Sequence, residues 1–202
     1  MTDVRLSSLQ EKSVLLMLCA PLFAGAHIFN GWVFDHLELS NHISWVYLPA
    51  FLRMAYVLVL GPAWGFGAIF GGSLLLVSIQ NENLMQTLSN ATASAFGPVL
   101  ALWLFKLLKE RNLQISQLGD LVQMCILYAL LNALVHHAAW SFNQPDQLMS
   151  VHQMPVMVIG DLTGAVLGSL LFTGVVRQLG LYSVIHRLSQ NRSASQAKDT
   201  QD

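Results

Sequence analysis

A chain of 202 residues with 54% hydrophobic and 10% charged side chains departs from soluble domains, in which about a quarter of residues carry charge. Its 10 Lys and Arg against 11 Asp and Glu give a net charge of -1, leaving no basic surplus to hold nucleic-acid phosphates. Composition thus sets nucleic-acid binding aside and favours a bilayer over a soluble enzyme.

Six segments meet or approach the roughly 20 apolar residues that a helix needs to cross a hydrocarbon core about 30 Å thick. They are residues 13–34, 44–60, 63–79, 90–109, 121–142 and 154–176. None alternates as a barrel strand would, and backbone groups in lipid must be satisfied internally, so each run is expected to be helical. The first run competes with a signal-peptide reading, in which residues 13–23 form the core and Ala24-Gly25-Ala26 the cleavage site before His27. Asp3 and Glu11 ahead of it, and the continuation through Ile28, Trp32, Val33 and Phe34, favour a retained helix. Gly61-Pro62 splits one long apolar stretch into the second and third spans. Cys19 and Cys125 lie inside apolar runs without metal or redox spacing, so both are expected to be buried core residues.

Loop charge sets the expected orientation, because short cytoplasmic loops carry the Lys and Arg excess. Arg5 and Lys12 precede the first span, Lys106, Lys109 and Arg111 bracket the fourth-to-fifth connection, and Arg177, Arg187, Arg192 and Lys198 follow the sixth. Segments 35–43, 80–89 and 143–153 contain neither Lys nor Arg. The pattern predicts an all-α, six-span polytopic helix bundle with both termini cytoplasmic, and an outer aromatic belt of Trp32, Trp45, Tyr47 and Trp140. The expected organisation is a cytoplasmic N-terminal segment 1–12, a transmembrane domain 13–176, a surface helix 177–190 and a disordered tail 191–202. Leu181, Val184, Ile185 and Leu188 recur at helical spacing in that surface segment, and no soluble domain is expected after it.

Ionisable residues inside spans usually face the bundle interior. They are His27, Arg53, His136, His137 and Asp161, with Asn30 and Asn132 in the same outer half. Counted at about 1.5 Å per residue, His27, Arg53, His136 and Asp161 fall at similar depths, so with Asn132 they are expected to converge on one polar pocket open to the outside. Arg53 and Asp161 are expected within salt-bridge or one-water reach, either as a structural ion pair or as the grip on an anionic or zwitterionic ligand, for which a guanidinium fork is suited. Asn132 and His136 share a helix face; His137 points about 100° away. His27 and His136 also admit a bis-histidine haem or metal site, but nothing fixes their facing, so no cofactor and no metal are expected. Gly160, Gly164 and Gly168, and likewise Gly67 and Gly71, form small-xxx-small stripes, read as close helix packing within the chain, with a dimer seam as the alternative. No nucleophile-elbow, zincin or P-loop pattern occurs, so the chain is not expected to be an enzyme.

The run Trp45-Val-Tyr-Leu-Pro-Ala-Phe-Leu-Arg53, the following Leu60-Gly-Pro-Ala-Trp-Gly65, Phe70-Gly-Gly-Ser73 and Ile159-Gly-Asp-Leu-Thr-Gly164 together resemble the membrane-associated sensor domain of the first type (MASE). That family forms the integral-membrane input region of bacterial histidine kinases and diguanylate cyclases. The resemblance spans about Trp45 to Leu171 and singles out Pro49, Gly61, Gly160, Asp161 and Gly164. It implies sensing in a bacterial inner membrane. The family usually has about eight spans and a fused output domain, so a shorter chain of this kind would signal through a membrane or cytoplasmic protein partner. The chain is also similar in size and span count to the substrate-binding component of energy-coupling-factor transporters, which binds vitamins or metal ions; there Ala20-x-x-x-Ala24 would be the patch that docks the coupling subunit. The expectation is a ligand-binding or sensory module, then a transporter subunit, then a structural or assembly partner.

Overall fold

The computed structural model describes residues 9–40, 43–80, 84–114, 117–143 and 153–178. The expected tail 191–202, residues 179–190 of the surface helix and residues 1–8 lie outside them. Six helices account for most of the described chain: α1 (Leu9–Phe34), α2 (Pro49–Leu60), α3 (Pro62–Gln80), α4 (Leu84–Lys109), α5 (Leu118–Asn143) and α6 (Gln153–Gln178). Between α1 and α2 lie a 3₁₀ turn (Asp35–Leu37) and the short antiparallel strands β1 (Glu38–Ser40) and β2 (Ile43–Ser44), with Glu38 opposite Ser44. Helices α1, α4, α5 and α6 are long and apolar enough to cross a membrane, whereas α2 and the apolar part of α3 are shorter.

The predicted second span is therefore only partly helical. Its helix starts at Pro49, whose ring nitrogen has no hydrogen to give to the carbonyl four residues back, that of Trp45. That carbonyl accepts from Thr163 Oγ1 on α6 instead, at 2.7 Å. Other backbone groups of residues 44–48 also find partners outside a helix. Tyr47 N donates to Gly160 O at 3.0 Å and Leu48 N to Asn30 Oδ1 at 2.8 Å. Val46 O accepts from Asn30 Nδ2 and from Ser44 Oγ, and Trp45 N donates to Leu37 O. Irregular backbone at membrane depth is tolerated where it is buried in protein, and neighbours on α1 and α6 supply that cover.

Small residues let this segment come so close. A Cβ on Gly160 would collide with Ser44 O and one on Gly164 with Tyr47 O, while Gly168 faces Phe51 of α2. The α6 stripe thus seats the extended segment first and a helix second. On α3, Gly67 lies against Leu16 and Gly71 against Ala20 of α1, which is helix packing within the chain. The α2–α3 corner turns at Gly61, in the left-handed region at φ 87°, and Gly65 lies directly on the Val57 backbone.

Short α2 packs against α1, α3, α4 and α6, while α3–α4, α4–α5 and α5–α6 are neighbours around it and α1 lies on α3. The core gathers on α2, where Met54, Tyr56 and Val57 meet Phe23, Ile69, Leu102, Met124 and Tyr128. Outward faces are apolar too: Val122, Ile126, Leu130 and Leu134 make an exposed stripe along α5 at four-residue spacing. At the far end, α4 closes at Glu110, in the left-handed region at φ 53°. There Arg111 grips Asp120 with two N–H groups, at 2.6 and 2.7 Å.

Two expectations change. Cys19 and Cys125 are half-buried at the edge of the core rather than inside it. Of the aromatic belt, Trp32 and Trp45 are exposed, but Trp140 is 4% exposed and Tyr47 turns its ring to Arg53. Polar partners inside the bundle draw both inward: Trp140 Nε1 donates to Asn90 Oδ1 at 2.6 Å.

Candidate functional site

A single buried arginine organises the polar interior. Arg53 lies one turn into α2, and its guanidinium stacks 4.7 Å from the Tyr47 ring centroid and 5.6 Å from that of Phe23. Its Nη2 donates to Tyr47 Oη and to Ser94 Oγ, both at 2.9 Å, and Nη1 donates to Tyr128 Oη at 3.4 Å. Each hydroxyl then has one hydrogen to pass on. Tyr128 gives its own to Asp161 Oδ1 at 3.3 Å, while Asn132 Nδ2 donates to Asp161 Oδ2 at 2.7 Å. Ser94 Oγ lies 3.2 Å from His136 Nε2, and His136 Nδ1 lies 2.9 Å from the Asn132 carbonyl. A carbonyl only accepts, so Nδ1 carries the histidine proton and the Ser94 hydroxyl donates to Nε2. Tyr47 Oη completes the set beside His27 Nδ1 at 3.0 Å.

The result is a closed circuit through four helices: Arg53, Ser94, His136, Asn132, Asp161, Tyr128 and back to Arg53. His27, Arg53, Asn132, His136 and Asp161 come together in or beside this circuit, toward the end of the bundle that carries the β1–β2 hairpin. One detail differs. Arg53 and Asp161 form no direct ion pair; the Tyr128 hydroxyl stands between them. His137 turns aside, as its spacing implied, and packs edge-on against Trp140 with ring centroids 5.3 Å apart. Asn30 serves the backbone of residues 46–48.

The hydroxyls of Tyr47, Ser94 and Tyr128 were not among the expected site residues. Tyr128 was within reach of the sequence, since it precedes Asn132 by four residues and His136 by eight, on the same α5 face. Ser94 had no comparable signal. It sits opposite Asn132 because Gly97, one turn on, lets α4 touch α5: a Cβ there would stand 2.7 Å from Asn132 Oδ1.

A cavity of about 70 Å³ opens beside the circuit, bordered by His27, Tyr47, Arg53, Thr87, Asn90, Ser94, His136 and Asp161 and by apolar Phe23, Leu76, Trp140 and Met157. One water needs roughly 10–15 Å³ of such space, so the volume suits a few waters or a small solute. Arg53 Nε and Thr87 Oγ1 are buried without a partner among the described residues. No cluster of three metal-ligating side chains occurs among the described residues.

Apolar helices around a hydrogen-bonded interior define a multi-pass membrane protein. The chain belongs to the MASE1 family of membrane-associated sensor domains, whose model matches residues 16–179. It is thus a membrane sensory domain. Neither curated proteins nor solved structures give a match.

Proposed function

We propose that this sensory domain is a non-catalytic receptor of the bacterial inner membrane, which holds a small molecule in the Arg53 cavity and passes its occupancy to a protein partner. The observation that carries the reading is the cavity itself: a polar space bordered by residues of all six helices and by Tyr47, beside buried polar atoms that still lack partners among the described residues. A route outward exists in the same residues. Tyr47 touches Arg53 through its hydroxyl and α6 through its backbone N–H, so a solute that moves Tyr47 bears directly on α6. Membership of a sensor family supports the same reading.

A transporter substrate-binding subunit is the second reading, because it would use the same pocket. Its expected docking patch weighs against it: Ala20 lies on Gly71 and Gly72 of α3, and Ala24 is buried. Native mass spectrometry of gently purified protein tests the receptor. Wild type should carry a small bound mass that Ala91→Leu, placed in the cavity wall, releases. Identical spectra for the two proteins would refute the pocket.

A further inference from the structure

The directions of the hydrogen bonds around Arg53 narrow the chemistry of the occupant. A guanidinium has five N–H groups arranged in two forks, and Nη2 belongs to both. Here Nη2 uses both of its hydrogens on Tyr47 and Ser94, and Nη1 uses one on Tyr128. Neither fork is open to a carboxylate or phosphate, so the bidentate grip that the sequence suggested is not on offer. Asp161 takes one hydrogen bond on each oxygen, from Tyr128 and from Asn132, and its charge is already offset by Arg53, so it presents no surplus charge to a cation. Arg53 and Asp161 balance each other through the Tyr128 hydroxyl, and no other Lys, Arg, Asp or Glu borders the cavity among the described residues. The bonds of His136 are complete in its neutral form. Arg53 Nε–H has no partner among the described residues but offers a single contact, and the guanidinium charge is already balanced by Asp161. An ion entering this space would therefore leave its hydration shell for little net compensating charge, a cost that one hydrogen bond does not offset. An uncharged solute avoids that cost. It would find hydrogen-bonding side chains in Thr87 and Asn90 and an apolar wall in Phe23, Leu76 and Trp140.

On the receptor reading, we infer that the cavity selects an uncharged amphiphile of about four to six heavy atoms, such as a short-chain amide or alcohol, over an anion or cation of the same size. Three probes of matched shape test it: butyramide, butyrate and butylammonium, each titrated to tens of millimolar against the full chain in lipid nanodiscs while the thermal midpoint is followed. A ligand that binds only the folded protein stabilises it by RT ln(1 + L/Kd), where L is the free ligand concentration, so the concentration dependence of the midpoint reports its affinity. Butyramide should bind at least about tenfold more tightly than either ion, a difference of roughly 1.4 kcal/mol, and the effect should vanish in Ala91→Leu. Should Ala91→Leu not accumulate, Ser73→Leu fills the cavity from α3. If butyrate or butylammonium binds as tightly as the amide and the filled cavity abolishes it, the preference for neutral ligands is wrong while the receptor stands. If none of the three shifts wild type, or the shifts persist in the filled variants, the cavity is not a binding site and both readings fall.

Discussion

Arg53 would be a severe liability in lipid, and three hydroxyls from three elements make it tolerable. A charged group left with a missing partner costs more than a neutral one, about 1–3 kcal/mol or above. Ser94 carries two such duties, accepting from Arg53 and donating to His136. Ser94→Ala should therefore lower stability by about 1–3 kcal/mol in an SDS-unfolding titration. Thr87 is an internal control on the same helix. Its hydroxyl is buried with no partner among the described residues, so Thr87→Val should leave stability within about 0.5 kcal/mol of wild type or raise it slightly. Equal losses for both variants would mean that the circuit through Ser94 does not hold the arginine.

Among the elements, the unusual one is the second span, part extended segment and part short helix. Glycines on α6 make it possible. Gly164 faces the Tyr47 carbonyl and the Leu48 nitrogen, whereas a Cβ at Gly174, on the same helix, would meet nothing within 4 Å. Backbone atoms cannot swing aside as side chains do. Gly164→Ala should cost on the order of 1–3 kcal/mol through overpacking, while Gly174→Ala should be neutral or gain up to about 1 kcal/mol in helix propensity. Thermal unfolding of the two variants in one detergent gives the comparison. A Gly164→Ala protein that melts with wild type would place residues 44–48 elsewhere than on α6.

At the scale of the whole molecule, the Arg53 circuit and the β1–β2 hairpin lie toward one end of the bundle, and the Arg111–Asp120 clasp with Lys106 and Lys109 marks the other. Because Lys and Arg collect on cytoplasmic loops, the clasp end should face the cytoplasm and the cavity end the periplasm. Alkaline phosphatase fused within residues 144–152 should be active, and fused after Asn112 or after Asp202 inactive. Activity after Asn112 would invert the orientation, and activity after Asp202 would remove the sixth crossing.

How much of this was legible without the fold follows from what the bilayer imposes. Length, apolarity and loop charge are local properties, so the sequence alone carried the helical membrane bundle, the breaker at Gly61-Pro62 and the depth at which His27, Arg53, Asn132, His136 and Asp161 meet. The Gly-Asp and small-residue run at Ile159 to Gly164 carried the resemblance to the sensor family that the family match bears out. Facing was different. Side chains such as Ile126 and Leu130 toward lipid are as apolar as those in the core, so no polar stripe tells the inside of a helix from its outside. Only the tertiary structure could seat Tyr47 and Trp140 inward, put Tyr128 between Arg53 and Asp161, and unwind residues 44–48 against Gly160 and Gly164, because each depends on a partner from another helix that comes within hydrogen-bonding or van der Waals distance only once the bundle has formed.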